Sequence, residues 1–205
     1  MKKNLYLFSP HTQSFFVKKE GQAYSRAHMV ERRLRQLTHK ADVKRDQLSA
    51  VIYANLTYQS IQHYITDLTS EIKKFSGTIQ DKEAIKTVRK TLTGKTYPFS
   101  DLTPLMDHLN QAFIVTDQLL ILILTAEHCH VFDHKRTVYS LTYKLKARLS
   151  RLLATLQHLA FHQKPDTTVS TFLSHEEHYS DAERRKTLAL LRLGFIERYR
   201  QLEVH

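Results

Sequence analysis

The sequence predicts a mainly α protein: a helical bundle built on a long antiparallel helical hairpin, with a short extended segment at the N-terminus. Three observations carry this. Only four Gly and four Pro occur in 205 residues, far below average usage, so tight turns are few. Apolar residues recur at three- and four-residue spacing over most of the chain. The exception is residues 3–20, where "NLYLF" and "SFFVKK" flank Pro10 and read as two short strands or a docked arm, closed by Gly21.

Each element follows from its own pattern. "SRAHMVERRLRQLT" (25–38) is a helix with Ser25 as N-cap and Met29, Val30, Leu34 and Leu37 on one stripe. Residues 46–75 form a long amphipathic helix or a kinked pair. Leu48, Ile52, Leu56, Ile61, Ile65, Leu68, Ile72 and Phe75 keep helical spacing, with a slip near Thr57, and Gly77 is the expected stop. A shorter helix spans about 81–92, and "TGKTYPFSD" (93–101) reads as the clearest loop. The next helix has Ser100 as cap and Pro104 in its first turn. From Leu105 to Leu124 it is nearly all apolar, which marks it as the central helix. Val138, Leu141, Leu145, Leu149, Leu152, Leu156 and Leu159 then repeat as a heptad-like seam, closed by Pro165. A polar linker (166–181) leads to a last helix at about 182–202. Three segments result: a basic portion at 1–60, a hairpin bundle at 61–165, and a linker with a C-terminal helix at 166–205.

Composition narrows the function classes. The formal net charge is +11 and the pI about 9.7, which favours a polyanionic partner. Residues 1–50 hold eleven Lys or Arg against four acids, +7 of that total. Residues 134–165 hold seven bases and no acid. There Lys144, Arg148 and Arg151 share a helical face opposite the seam, a pattern that a solvated surface also produces. The single cysteine forms no internal disulfide, which suits a reducing cytosol. The apolar stretch Leu5–Phe8 is too short for a signal peptide core. The run around "LLILIL" is interrupted by Thr116, Asp117 and Gln118, short of a spanning helix. A cytoplasmic protein is expected.

Motifs for chemistry are weak. "TAEHCHVFDHK" (125–135) groups His128, His130 and His134 with Cys129, Glu127 and Asp133. His130 and His134 could chelate on a helix, but His128 and His130 splay apart, and Cys129 has no partner cysteine. The stretch lies where the most apolar helix must stop, so a polar turn is the expected role. "HEEH" (175–178) is one residue short of the zinc-helix pattern HExxH. "TGKT" lacks the first glycine of a phosphate-binding loop, since that position is Arg89. Cys129 has no identifiable orienting group or oxyanion donors, and no paired carboxylates stand out. No enzyme, metal or cofactor is expected.

An extended segment, a basic helix, a long helix, and then the hairpin "LTPLMDHLNQAFIVTDQLLILILTAEHCHVFDHKRTVYSLTYKLKARLSRLLATLQHLA" form one layout. Over about residues 3–163 it resembles the AcaB-like transcriptional regulators of conjugative plasmids and integrating conjugative elements. The resemblance rests on element order and hydrophobic pattern. It implies a DNA-binding regulator of conjugative-transfer genes that acts as a homodimer. It also implies a ribbon-helix-helix, in which paired strands from two subunits enter the major groove of double-stranded DNA. The strand would be Ser14–Lys18 or Asn4–Phe8, and the helices about 25–38 and 46–60. The gap from Lys18 to the first helix is long for that fold, and Leu5 and Leu7 alternate better than Phe15, Phe16 and Val17. Lys18, Lys19, Arg26, Arg32, Arg33, Arg35, Lys44 and Arg45 are the expected DNA contacts. The competing class is a helical adaptor of a secretion or transfer apparatus, docking through the leucine seam or the C-terminal helix. An RNA- or ribosome-associated factor is a third class.

Overall fold

The computed structural model describes residues 3–42, 45–79, 81–99, 103–132, 134–158 and 167–193. Among them the chain is 76% helix, in eight helices, with one two-stranded antiparallel sheet. The order is β1 (Lys3–Leu7), α1 (Pro10–Gln13), a 3-10 turn (Ser14–Phe16), α2 (Arg26–Ala41), α3 (Leu48–Thr78) and α4 (Lys82–Thr91). Then follow β2 (Lys95–Phe99), α5 (Pro104–His128), α6 (Lys135–Gln157), α7 (Val169–Ser174), a second 3-10 turn (Glu176–His178) and α8 (Asp181–Arg192).

The mainly α expectation holds, and α5 is the central helix. Thr103, rather than Ser100, caps it through the backbone N–H of Met106, with Pro104 at the first helical position. Ser100 itself lies outside the described residues. α5 is long and apolar enough to cross a membrane, yet 72% of its most apolar window is buried inside the molecule. Leu105, Met106, Leu109, Phe113, Leu119 and Leu120 are almost fully removed from water. Each such side chain contributes about 1.5–3 kcal/mol on burial.

α3 is one unbroken helix and makes the most extensive packing with α5. Its buried seam differs from the expected stripe. Ala50, Ala54, Thr57, Ile61, Tyr64 and Leu68 face the core, while Leu56 is exposed and Leu48 and Ile52 are half-buried. Small residues thus fill much of the buried face in the first turns of α3, where the hydrophobic pattern pointed elsewhere. Gly77 does not stop this helix, which runs to Thr78. The buried Ile79 caps it, its N–H donating to the Phe75 carbonyl.

α6 buries Val138, Leu145, Leu149, Leu152 and Leu156 of the expected seam in the same core; Leu159 lies outside the described residues. The seam is therefore internal, and the adaptor reading loses it as a docking face. α3 runs continuously across positions 60 and 61. Leu5 and Leu7 share one core cluster with Leu188 and Leu191, so the three sequence segments pack as a single body.

Three further expectations are corrected. Residues 95–99, read as loop, form β2, whose partner is β1 in the register Lys3↔Phe99, Leu5↔Tyr97 and Leu7↔Lys95. Ser14–Phe16 is a 3-10 turn, so Ser14–Lys18 provides no strand. The Asn4–Phe8 candidate does form, as β1, but it takes its partner from the same chain where the resemblance implies a second subunit. Finally, 166–181 is more than a linker. α7 buries Val169 and Phe172, and Asp46 caps it: its carboxylate accepts from Ser170 N–H and Oγ, and its carbonyl accepts from Val169 N–H. The last helix is described from Asp181 to Arg192, and residues 194–202 of its expected span lie outside the described residues.

The N-terminal arm is firmly docked. Asp117, 4% exposed in the middle of α5, accepts hydrogen bonds from the backbone N–H groups of Phe8 and Ser9, each at 2.8 Å, and from the Thr12 hydroxyl. Gln13 donates to the carbonyls of Leu7, Phe8 and Thr93. Phe16 stacks on Tyr97 of β2 at 4.4 Å and packs on Phe113 of α5 at 4.8 Å. Asp117, one of the polar residues that interrupt the apolar run of α5, is thus its anchor for the arm, while Thr116 pairs with Tyr64 of α3.

Candidate nucleic-acid interface

The arm and α2 lie against the outer face of α6, and basic side chains from all three converge there. A cavity of about 430 Å³ is lined by Lys19, Gln22, Arg26, Tyr143, Lys146 and Ser150, with Ser14, Phe15, Val17 and Ala147. Three cations and no acid stand among its described lining residues. Arg26, at the start of α2, donates through Nη1 to Ser150 Oγ at 2.6 Å, which fixes the guanidinium against α6. Tyr143 and Lys146 also line an adjoining cavity of about 320 Å³ with His11, Leu124, Glu127, Lys135, Val138, Tyr139 and Thr142. The two cavities share Tyr143 and Lys146 along the groove between α6 and the arm, and Glu127 is the one acid among their described lining residues.

The reason lies in the helix itself. α6 turns Val138, Leu145, Leu149 and Leu156 inward, so Tyr139 and Tyr143, one turn apart, must face outward. They are 74% and 65% exposed. Lys135, Arg136 and Lys144 are exposed on the same helix, and Lys146 is half-buried in the groove. Exposed tyrosines among lysines and arginines suit a sugar-phosphate backbone, which takes cations and hydroxyl donors alike. His11 sits in the adjoining cavity with its imidazole pKa pushed down, first by burial and then by the nearby Lys146 ammonium.

The expected DNA contacts divide. Lys19 and Arg26 enter the groove, and Lys18 is exposed beside Lys19. Arg32 points outward on α2, its guanidinium 5.8 Å from the Tyr24 ring centroid. Arg35 is bound to Glu31 at 2.8 Å, which offsets its charge. Arg33 is half-buried on α2, and Arg45 is exposed in the α2–α3 connection. Lys44 lies outside the described residues. Of the seven described, the structure therefore gathers two into one site, sets Lys18 beside it, and spreads the other four.

Lys146, Tyr139, Tyr143 and Lys135 were not anticipated. Their signal was in the sequence, as the acid-free basic block 134–165 with two tyrosines four residues apart. Its reading as a solvated face fits Arg148 no better: this residue pairs across to α3, with Glu71 at 2.5 Å and Asp67 at 4.0 Å.

The histidine-rich stretch 125–135 is a helix end. His130 adopts φ 54°, its N–H donates to the Glu127 carbonyl at 3.0 Å, and the Val131 N–H donates to the Ala126 carbonyl at 2.9 Å. This is a Schellman C-cap on α5, with histidine where glycine is usual. His128, His130 and His134 are exposed around it; Asp133 lies outside the described residues. No family model, curated protein or solved structure matches this chain.

Proposed function

We propose that this chain is a DNA-binding protein that holds the phosphate backbone in the groove between its N-terminal arm and α6. On the resemblance described above, it serves as a transcriptional regulator of conjugative-transfer genes. The observation that carries the DNA-binding reading is the convergence of Lys19, Arg26 and Lys146, from three separate elements, beside two exposed tyrosines. Like charges repel when brought together, and a polyanion that neutralises them offsets that cost. The net charge of +11 supports the same partner.

Binding of a labelled duplex, followed by fluorescence anisotropy over a salt series, tests this. Wild type should bind at low salt and weaken steeply as salt rises. The Lys19→Gln/Lys146→Gln variant should bind more weakly, with the log–log salt slope reduced by about 2, roughly 0.9 per lost phosphate contact. No binding at low salt, or an unchanged slope, counts against the reading. The groove variant is a cleaner test than Arg32/Arg33/Arg35→Ala, which also removes the Arg35–Glu31 pair.

A homodimer does not follow from the β1–β2 pairing, which is completed within one chain. The second copy that the resemblance implies would need another contact. A mass from light scattering at micromolar concentration decides it, and a monomer would remove the dimer while leaving the groove. The adaptor reading keeps one supporting feature, the exposed Tyr139 and Tyr143, since tyrosine often anchors protein interfaces. A partner captured through these tyrosines with little salt dependence would favour it.

A further inference from the structure

The segment "SHEEHYSD" (174–181) misses the zinc-helix spacing because its histidines are three apart and an α-helix needs four. The structure changes the rule that applies. His175 is the C-cap of α7, and Glu176–His178 continue as a 3-10 turn, with the His178 N–H donating to the His175 carbonyl at 3.1 Å. In a 3-10 turn, residues i and i+3 eclipse one another. The two imidazoles accordingly lie parallel, 2° apart in plane and 5.4 Å between centroids. Glu177 reaches both, with Oε1 at 3.7 Å from His175 Nδ1 and 3.8 Å from His178 Nε2.

We propose that His175, Glu177 and His178 form a surface site for a divalent transition-metal ion, with zinc as the ion of choice. Their donor atoms all lie within 4.8 Å of one another, the one such group of three among the described residues. Zinc bonds of about 2.0–2.2 Å in a tetrahedral array put donors about 3.3–3.6 Å apart. The side chains are 55%, 67% and 71% exposed, so rotation about their own bonds closes the difference without moving the backbone. Two imidazoles and a carboxylate suit zinc, copper or nickel, while calcium and magnesium prefer all-oxygen sets. A fourth position is left to water.

The turn that presents these ligands is fixed at both ends. Phe172 of α7 packs on Tyr179 at 4.9 Å, just beyond the site. Ser180 and Glu183 form a reciprocal capping box that starts α8. A bound ion would brace the turn that links α7 to α8. This site is independent of the DNA groove.

The test uses untagged full-length protein stripped with chelator. Equilibrium dialysis against zinc should show about one equivalent bound through this site, and cobalt should give the visible bands of a low-symmetry complex. His175→Ala/His178→Ala should weaken binding by at least about tenfold, the lower end of what losing even an outer-shell partner costs. Zinc should raise Tm in wild type and not in that variant. Circular dichroism should be unchanged by these surface substitutions. No uptake by wild type overturns the proposal. So does undiminished uptake by the double variant, which would move the ion to other histidines such as His128, His130 and His134.

Discussion

At the scale of single residues, the most consequential side chain is one that looks like a flaw. Asp117 interrupts an apolar run, and that interruption anchors the arm through two backbone N–H groups and a hydroxyl. Asp117→Asn keeps the shape but turns a donor toward groups that themselves donate. Hydrogen bonds to a buried charge contribute about 1.5–3 kcal/mol each, and an unsatisfied group costs about 1–3. A loss of about 2–4 kcal/mol is expected, measured by urea unfolding. An unchanged midpoint would show that the arm does not depend on this carboxylate. His130 is the opposite case. Its left-handed φ of 54° strains any residue with a Cβ, so His130→Gly should stabilise by about 0.5–1 kcal/mol, read as a higher Tm. His11 adds a pH dependence. Its folded pKa is lowered, by burial first and Lys146 second, so the unfolded chain takes up its proton first. Stability from the neutral ring is present above about 6.5 and is lost as pH falls through the lowered folded value. Wild type should therefore lose more Tm on acidification from neutral pH than His11→Gln. Equal losses would mean that His11 is not the titrating group.

Helices show where the hydrophobic pattern succeeds and where it misleads. The stripe on α2 and the seam on α6 were legible because large aliphatic residues mark them: Val30, Leu34 and Leu37 on one, Leu145, Leu149 and Leu156 on the other, all buried. On α3 the buried face includes Ala50, Ala54 and Thr57, which carry little hydrophobic signal, and the larger Leu56 is left outside. Close packing leaves no room for growth at such positions. Ala54→Leu should destabilise by about 1–3 kcal/mol through overpacking, whereas Leu56→Gln, on the exposed side, should change stability by less than about 0.5 kcal/mol. Thermal or chemical denaturation of the pair checks both. Equal effects would contradict the observed seam. Amides of α3 also satisfy the carbonyls that end α8. Asn55 Nδ2 donates to Leu190 and Leu191, and Gln59 Nε2 donates to Leu193. No sequence window contains these contacts, which span more than 130 residues.

For the molecule as a whole, helical class, the order of the long helices and the identity of the central helix could be read from the sequence. Periodicity, caps and composition are local properties, and helices are made of local hydrogen bonds. The concentration of positive charge could be read as well, since it needs only counting. Tertiary structure decided the rest because it depends on contacts between distant residues. β2 was read as loop because a five-residue strand with Pro98 has little intrinsic preference until β1 and the core supply its partners. The groove had the same fate. Lys19, Arg26 and Lys146 are ordinary basic residues in three separate segments. Only the docking of the arm, held by Asp117 and Phe16, brings them to one face. The HEEH spacing fails the α-helical rule, and the 3-10 turn that aligns its imidazoles forms where α7 gives way to α8. The sequence by itself determined that this is a basic helical protein and roughly where its longer helices lie. Which cations meet and which histidines face one another was set by long-range packing, because side chains hundreds of atoms apart along the chain become neighbours only when the core closes between them.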